Sequence, residues 1–123
     1  MLYLDANNLY ADSLMQPLPV GGFQWANTLP TEGTNYIAEV DLDYPHKLHE
    51  LHNDFPLAPE NIQITSDMIS PYSSSLLQHL KGALGQKLVP HFGPWKSYVL
   101  HSGALQLYLH LGMVLKKVHR VLL

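Results

Sequence analysis

Near the start of the chain an aspartate and a tyrosine stand five positions apart, in Leu2-Tyr3-Leu4-Asp5-Ala6-Asn7-Asn8-Leu9-Tyr10. The apolar residues 2–4 are expected to form a buried strand with Asp5 at its C-terminal edge. A carboxylate held there can bind Mg²⁺, a hard cation that takes oxygen ligands, while the backbone amides of the following turn face a phosphate. A second acidic pair, Asp41 and Asp43, flanks Leu42 and points to one face of any strand that contains it. That pair can bind a metal, but a solvent-facing row is the more ordinary use. His46, His49 and His52 invite a zinc site. On a regular helix, however, His52 lies about 240° around from His46, so the three do not converge. The chain also has no cysteine to complete such a site, and the histidines are expected on a polar face. Trp25, Phe92, Trp95 and Tyr98 have ring faces that can stack on bases. Trp95-Lys96 beside Pro94 has the look of an exposed contact loop, with packing of Trp95 an equal alternative, whereas Trp25 is expected to pack.

The elements that must position these groups follow from periodicity and breakers. Residues 1–5 read as a strand and 8–15 as a short helix, which Pro17 and Pro19 end. Gly21-Gly22 releases the chain into a short strand over 23–26, and 27–35 is a loop. Residues 36–42 alternate with period two, as a half-buried strand does, until Pro45. A helical turn or two over 46–53 leads through Pro56 and Pro59 to an extended 62–64. A helix is expected over 73–83, where Leu76, Leu77 and Leu80 recur at near-helical spacing. The last third reads as a strand at 98–100, an N-cap at His101 or Ser102, a helix closed by Gly112, and a final strand over 113–123. Short strands interrupted by helices, with no glycine-rich phosphate loop, indicate an α+β fold.

A chain of 123 residues, 46% hydrophobic and 14% charged, has enough apolar material for a packed core. A free-standing domain has about 25% charged residues, so the low value suggests a piece whose neighbours cover apolar surface. The absence of cysteine fits a reducing, intracellular compartment, the nucleus included. No apolar run is long enough to span a bilayer, so no membrane partner is expected. Charge is segregated. Residues 1–67 hold all ten acidic side chains and one lysine, and residues 68–123 hold six basic side chains and no acidic one. An acidic half can concentrate a divalent cation and a basic half can contact phosphates, unless both are merely solvated faces.

The run LDANNLYADSLMQPLPVGGFQW, followed by YIAEVDLDYPHKLHELHNDFPLAPENIQIT and KLVPHFGPWKSYVLHSGALQLYLHLGMVLKKVHRVL, resembles the protein-primed branch of the family B DNA polymerases. The likeness is strongest to those of large self-synthesising DNA transposons and related viruses, and it covers nearly the whole chain. Asp5, Leu9 and Tyr10 match that family's motif A, whose pattern is Asp, two residues, Ser, Leu, Tyr, Pro. Asn8 stands in place of the Ser and Ala11 in place of the Pro.

The resemblance implies a partial polymerase palm of antiparallel strands and short helices. Residues 1–26 would be the motif A segment, 27–97 an insertion like the one specific to protein-primed polymerases, and 98–123 a strand-helix-strand return to the palm. It implies that Asp5 is catalytic and a Mg²⁺ ligand in two-metal nucleotidyl transfer. Ala6, Asn7, Asn8 and Leu9 would offer backbone groups to the metal and the triphosphate, and the Tyr10 ring would exclude a 2′-hydroxyl from the incoming nucleotide. Template and primer DNA, deoxynucleoside triphosphates and a terminal priming protein would be the partners, with Lys96, Lys116, Lys117 and Arg120 contacting DNA. The 123 residues contain no Asp-Thr-Asp for the second metal ligand and no lysine-bearing motif B helix, so the chain reads as a segment inactive alone. A non-catalytic remnant that binds DNA or the terminal protein is the alternative. A phosphohydrolase built on Asp-x-Asp is disfavoured, because Asn7 occupies the second acid's place.

Overall fold

A computed structural model describes all 123 residues, which separate into two compact units, residues 1–43 with 94–123 and residues 44–93. The expected α+β class holds: the strands pair antiparallel, and three short helices accompany them. No helix is long and apolar enough to cross a membrane.

The first unit contains helix α1 (Leu9–Met15) and strands β1 (Trp25–Ala26) and β2 (Ile37–Asp43). The chain returns to this unit in strand β5 (Trp95–His101), helix α3 (Ser102–His110) and strand β6 (Val114–Leu122). Its four-stranded sheet has the order β1-β6-β2-β5. Strand β2 lies inside the sheet because its sequence alternates cleanly. Ala38, Val40 and Leu42 are buried, while Ile37, Glu39, Asp41 and Asp43 take the other face. Directly opposite residues share a face, so the buried side gathers Leu100, Tyr98 and Trp95 from β5 and Val121, Val118 and Leu115 from β6. Helix α3 lies against β5 and adds Leu105 and Ser102 to the core. It starts where His101 caps it, Nδ1 accepting the Gly103 N–H at 3.1 Å, and ends at Gly112, whose φ of 107° suits a residue with no Cβ.

The second unit, residues 44–93, holds strand β3 (Glu60–Gln63), helix α2 (Pro71–Leu80) and strand β4 (Gln86–Val89), with 3₁₀ turns at His46–Leu48 and Ser66–Met68. Strands β3 and β4 form a two-stranded antiparallel sheet. Helix α2 is capped by the Ser70 side chain, which accepts the Ser73 N–H, and Pro71 fits its first position because that residue's N–H has no helical partner.

The structure differs from the expectations at several elements. Residues 1–6 form no strand, and Leu2, Tyr3 and Leu4 are exposed rather than buried. An apolar run becomes a strand only where a ladder partner exists, and the sheet edge beside β6 is taken by Trp25–Ala26. That edge strand is itself shorter than the expected 23–26. Trp95 does not belong to an exposed loop: it is 1% exposed, opposite Leu42 on the core face of β5. Strand β4 was not anticipated, since Gln86-Lys87-Leu88-Val89 carries little alternation.

Leu42→Ala should lower unfolding stability by roughly 2–5 kcal/mol, the usual result of opening a cavity in a packed core. Leu14→Ala, on the exposed side of α1, should change it by no more than about 0.5 kcal/mol. Urea unfolding followed by circular dichroism checks both.

Candidate functional site

Asp5 lies in the exposed stretch that precedes α1, and Ala6, Asn7 and Asn8 form an exposed turn. Asn8 takes the left-handed conformation, φ 50° and ψ 54°, which short polar side chains tolerate. Its carbonyl accepts the Asp12 N–H at 3.1 Å and so begins the helix, but its side chain makes no capping bond. Leu9 and Tyr10 open α1, and the Tyr10 ring is 88% exposed. Neither the Asp5 carboxylate nor the Tyr10 ring is covered by the rest of the chain. Around Leu9 and Tyr10, Leu2, Tyr3, Leu4, Leu14 and Met15 are also exposed, an extended apolar surface on 15 residues.

The acidic row of β2 has partners that sequence reasoning did not foresee. Glu39 faces Arg120, Asp41 faces Lys117, and the register slips twice between them and the strand end, at His119 and at Lys116. Each slip is a bulge, two residues opposing one, and a bulge re-aims a side chain. Both extra residues reach the acids. His119 Nε2 lies 2.7 Å from Asp41 Oδ1, and since a carboxylate only accepts, that nitrogen carries the hydrogen. Lys116 Nζ lies 3.5 Å from Asp43 Oδ2. Arg120 Nε donates to Glu39 Oε2, and its guanidinium lies 5.3 Å from the Trp25 ring centre. Trp25 is thus 68% exposed on the edge strand rather than packed in the core.

A third bulge completes the row. On β5, Lys96 and Ser97 together oppose Asp41, and Ser97 takes φ 53°. This turns its N–H toward Asp41 Oδ1, 2.8 Å away, so a side chain accepts a bond the ladder does not provide. Asp41 is consequently held below its ordinary pKa, first by the Ser97 N–H and then by His119. Glu39 is lowered as well, chiefly by its bond from Arg120. Of the four basic residues expected to contact DNA, Lys116 and Arg120 are committed to β2 acids, Lys117 stands opposite Asp41, and Lys96 is exposed on β5.

The histidines 46, 49 and 52 lie in an aromatic cluster of the 44–93 unit. His49 stacks on Phe92 with ring centres 4.4 Å apart, and its Nε2 donates to the Tyr44 carbonyl at 3.1 Å. The Tyr44 hydroxyl bonds His52 Nδ1. Phe92 is therefore held by packing. In the same unit His91 uses both ring nitrogens: Nδ1 accepts the Gly93 N–H at 2.8 Å and Nε2 meets Glu60 at 2.9 Å. No group of three or more His, Asp or Glu side chains is placed to hold a metal ion.

No family model, curated protein or solved structure matches this chain.

A carboxylate whose pKa is lower folded than unfolded keeps its full stabilisation above the unfolded value and loses it as pH falls through the folded one. Glu39 and Asp41 should therefore make the protein less stable from about pH 5 downward. Urea midpoints measured between pH 7 and pH 3 should fall, and Asp41→Asn, which keeps an oxygen for the Ser97 N–H, should flatten that decline while lowering the midpoint at pH 7.

Proposed function

We propose that these 123 residues are a segment of a protein-primed family B DNA polymerase, with Asp5 as one Mg²⁺ ligand of a two-metal centre and Tyr10 as the group that selects deoxyribose. The observation that carries this reading is the Asp5-x₃-Leu9-Tyr10 spacing on a segment whose carboxylate and ring are both uncovered. The exposure of Leu2, Tyr3, Leu4, Leu9, Leu14 and Met15 supports it, because a palm segment has strands and helices of its own enzyme to pack against. The α+β architecture with antiparallel strands is compatible with a palm.

In this reading Mg²⁺ would lower the pKa of the attacking primer or protein hydroxyl and steady the leaving pyrophosphate. Asp5 supplies one negative oxygen ligand, and the carbonyl of Ala6 or Asn7 lies in the same turn. Tyr10 acts by shape, its ring filling the space a 2′-hydroxyl would need.

A second reading is a binding module that carries no chemistry. It is favoured by the self-sufficiency of the sheet: the core of β2, β5, β6 and α3 uses none of residues 5–10. Such a module would bind DNA or a terminal protein through the same exposed surfaces.

The chain alone, with Mg²⁺ and a primed template, should incorporate no deoxynucleotide. Joined in frame to a chain that supplies the motif B lysine helix and the Asp-Thr-Asp hairpin, it should become active. In that polymerase Asp5→Asn should nearly abolish incorporation with DNA binding retained. Tyr10→Val should lower the deoxy-to-ribonucleotide ratio of kcat/KM at least tenfold, about 1.4 kcal/mol. Full activity in Asp5→Asn would overturn the assignment, and a joined polymerase that binds DNA but never incorporates would favour the binding module.

A further inference from the structure

The 44–93 unit contains a cavity of about 600 Å³, unrelated to the Asp5 segment and independent of the polymerase reading. Its floor is one face of the two-stranded β3–β4 sheet. Ile62 stands opposite Lys87 and Glu60 opposite Val89 in the register, so these four side chains share a face, and Ile64 follows on the same side. The walls are Leu77 of α2, Met68 of the second 3₁₀ turn with Ile69 after it, and Leu84 of the connection into β4. The volume lies within the range of small-molecule sites, which are mostly apolar with a few polar groups that fix orientation.

Charge chooses the ligand. Lys87 is the one ionisable residue that lines the cavity. Glu60, on the same face of this sheet, is engaged by His91 at 2.9 Å. Lys87 is in none of the ion pairs of the chain, and it is exposed, so its ammonium reaches water while its stem lines apolar surface. An occupant with an apolar body and one anionic group would place the body among Ile62, Ile64, Leu77 and Val89 and the anion at the mouth beside Lys87.

We propose that this cavity binds a small anionic amphiphile, a free medium-chain carboxylate, with its alkyl chain inside and its carboxylate paired with Lys87. Decanoate, kept below its micelle concentration, is the probe. Isothermal titration should give saturable binding of one decanoate per chain, and each added methylene from octanoate to dodecanoate should tighten Kd by about fourfold. Lys87→Met, which keeps the apolar stem, should weaken decanoate about tenfold and leave decanol unchanged, and Lys87→Arg should restore binding. In the natural protein, amide shifts on adding decanoate should map to Ile62, Ile64, Leu77, Leu84 and Val89, a readout that does not depend on any variant folding. Equal decanoate affinity in Lys87→Met, non-saturating binding, or shifts spread over the exposed residues 2–15 would overturn the proposal. Concentration-dependent dimerisation that shifts the same cavity residues without ligand would also overturn it, by making a second copy the occupant.

Discussion

Strand β2 carries the first unit, because it must satisfy two opposite demands along seven residues. Its Ala38, Val40 and Leu42 face the core, and its Glu39, Asp41 and Asp43 need cationic or donor partners on the other face. A regular antiparallel β6 would place one residue opposite each acid. Two bulges instead add His119 and Lys116 to the row, and a third, on β5, turns the Ser97 N–H into it. The core face stays in register while the outer face gains donors. The bulges are therefore what reconcile a continuous apolar floor with a fully partnered acidic row.

This row also explains where the charge segregation of the sequence goes. The acids before residue 67 and the bases after 68 meet across the β2–β6 pairing, so part of the apparent basic half is internal electrostatics rather than a free phosphate-binding face. Exposed pairs of this kind contribute little to stability, and a polyanion can compete for Lys116 and Arg120. Lys81, Lys87 and Lys96 lie outside the row and do not have to give up an acid to meet a phosphate. The Asp5–Tyr10 segment is uncovered, and the sheet is built without it.

The α+β class, helix α1, strand β2, the His101 cap and the final helix and strand were legible because each rests on local signals: period-two alternation, a proline stop, a capping side chain, a closing glycine. The N-terminal strand was misread because Leu2, Tyr3 and Leu4 show apolarity without a partner, and partnering is not local. Trp95 stayed open between an exposed loop and the core because Pro94 precedes it, and the pairing with Leu42 that places it in the core is not local. The bulges had a visible trace. Lys96-Ser97, Lys116-Lys117 and His119-Arg120 are polar doublets that break an otherwise alternating strand, each at or beside a register shift. The Lys87 cavity left little trace, since its lining comes from two strands far apart in sequence, a helix, a 3₁₀ turn and a connection.

The claim that the β2 acids are held by Ser97, His119, Lys116 and Arg120 is open to one direct measurement, the carboxyl ¹³C titration of Glu39 and Asp41 by NMR in the folded chain. Midpoints below the ordinary carboxylate values of about 3.9 for aspartate and 4.3 for glutamate are predicted, with the Ser97 amide shift titrating together with Asp41. Midpoints at or above those values, with a Ser97 amide that does not respond, would contradict the account.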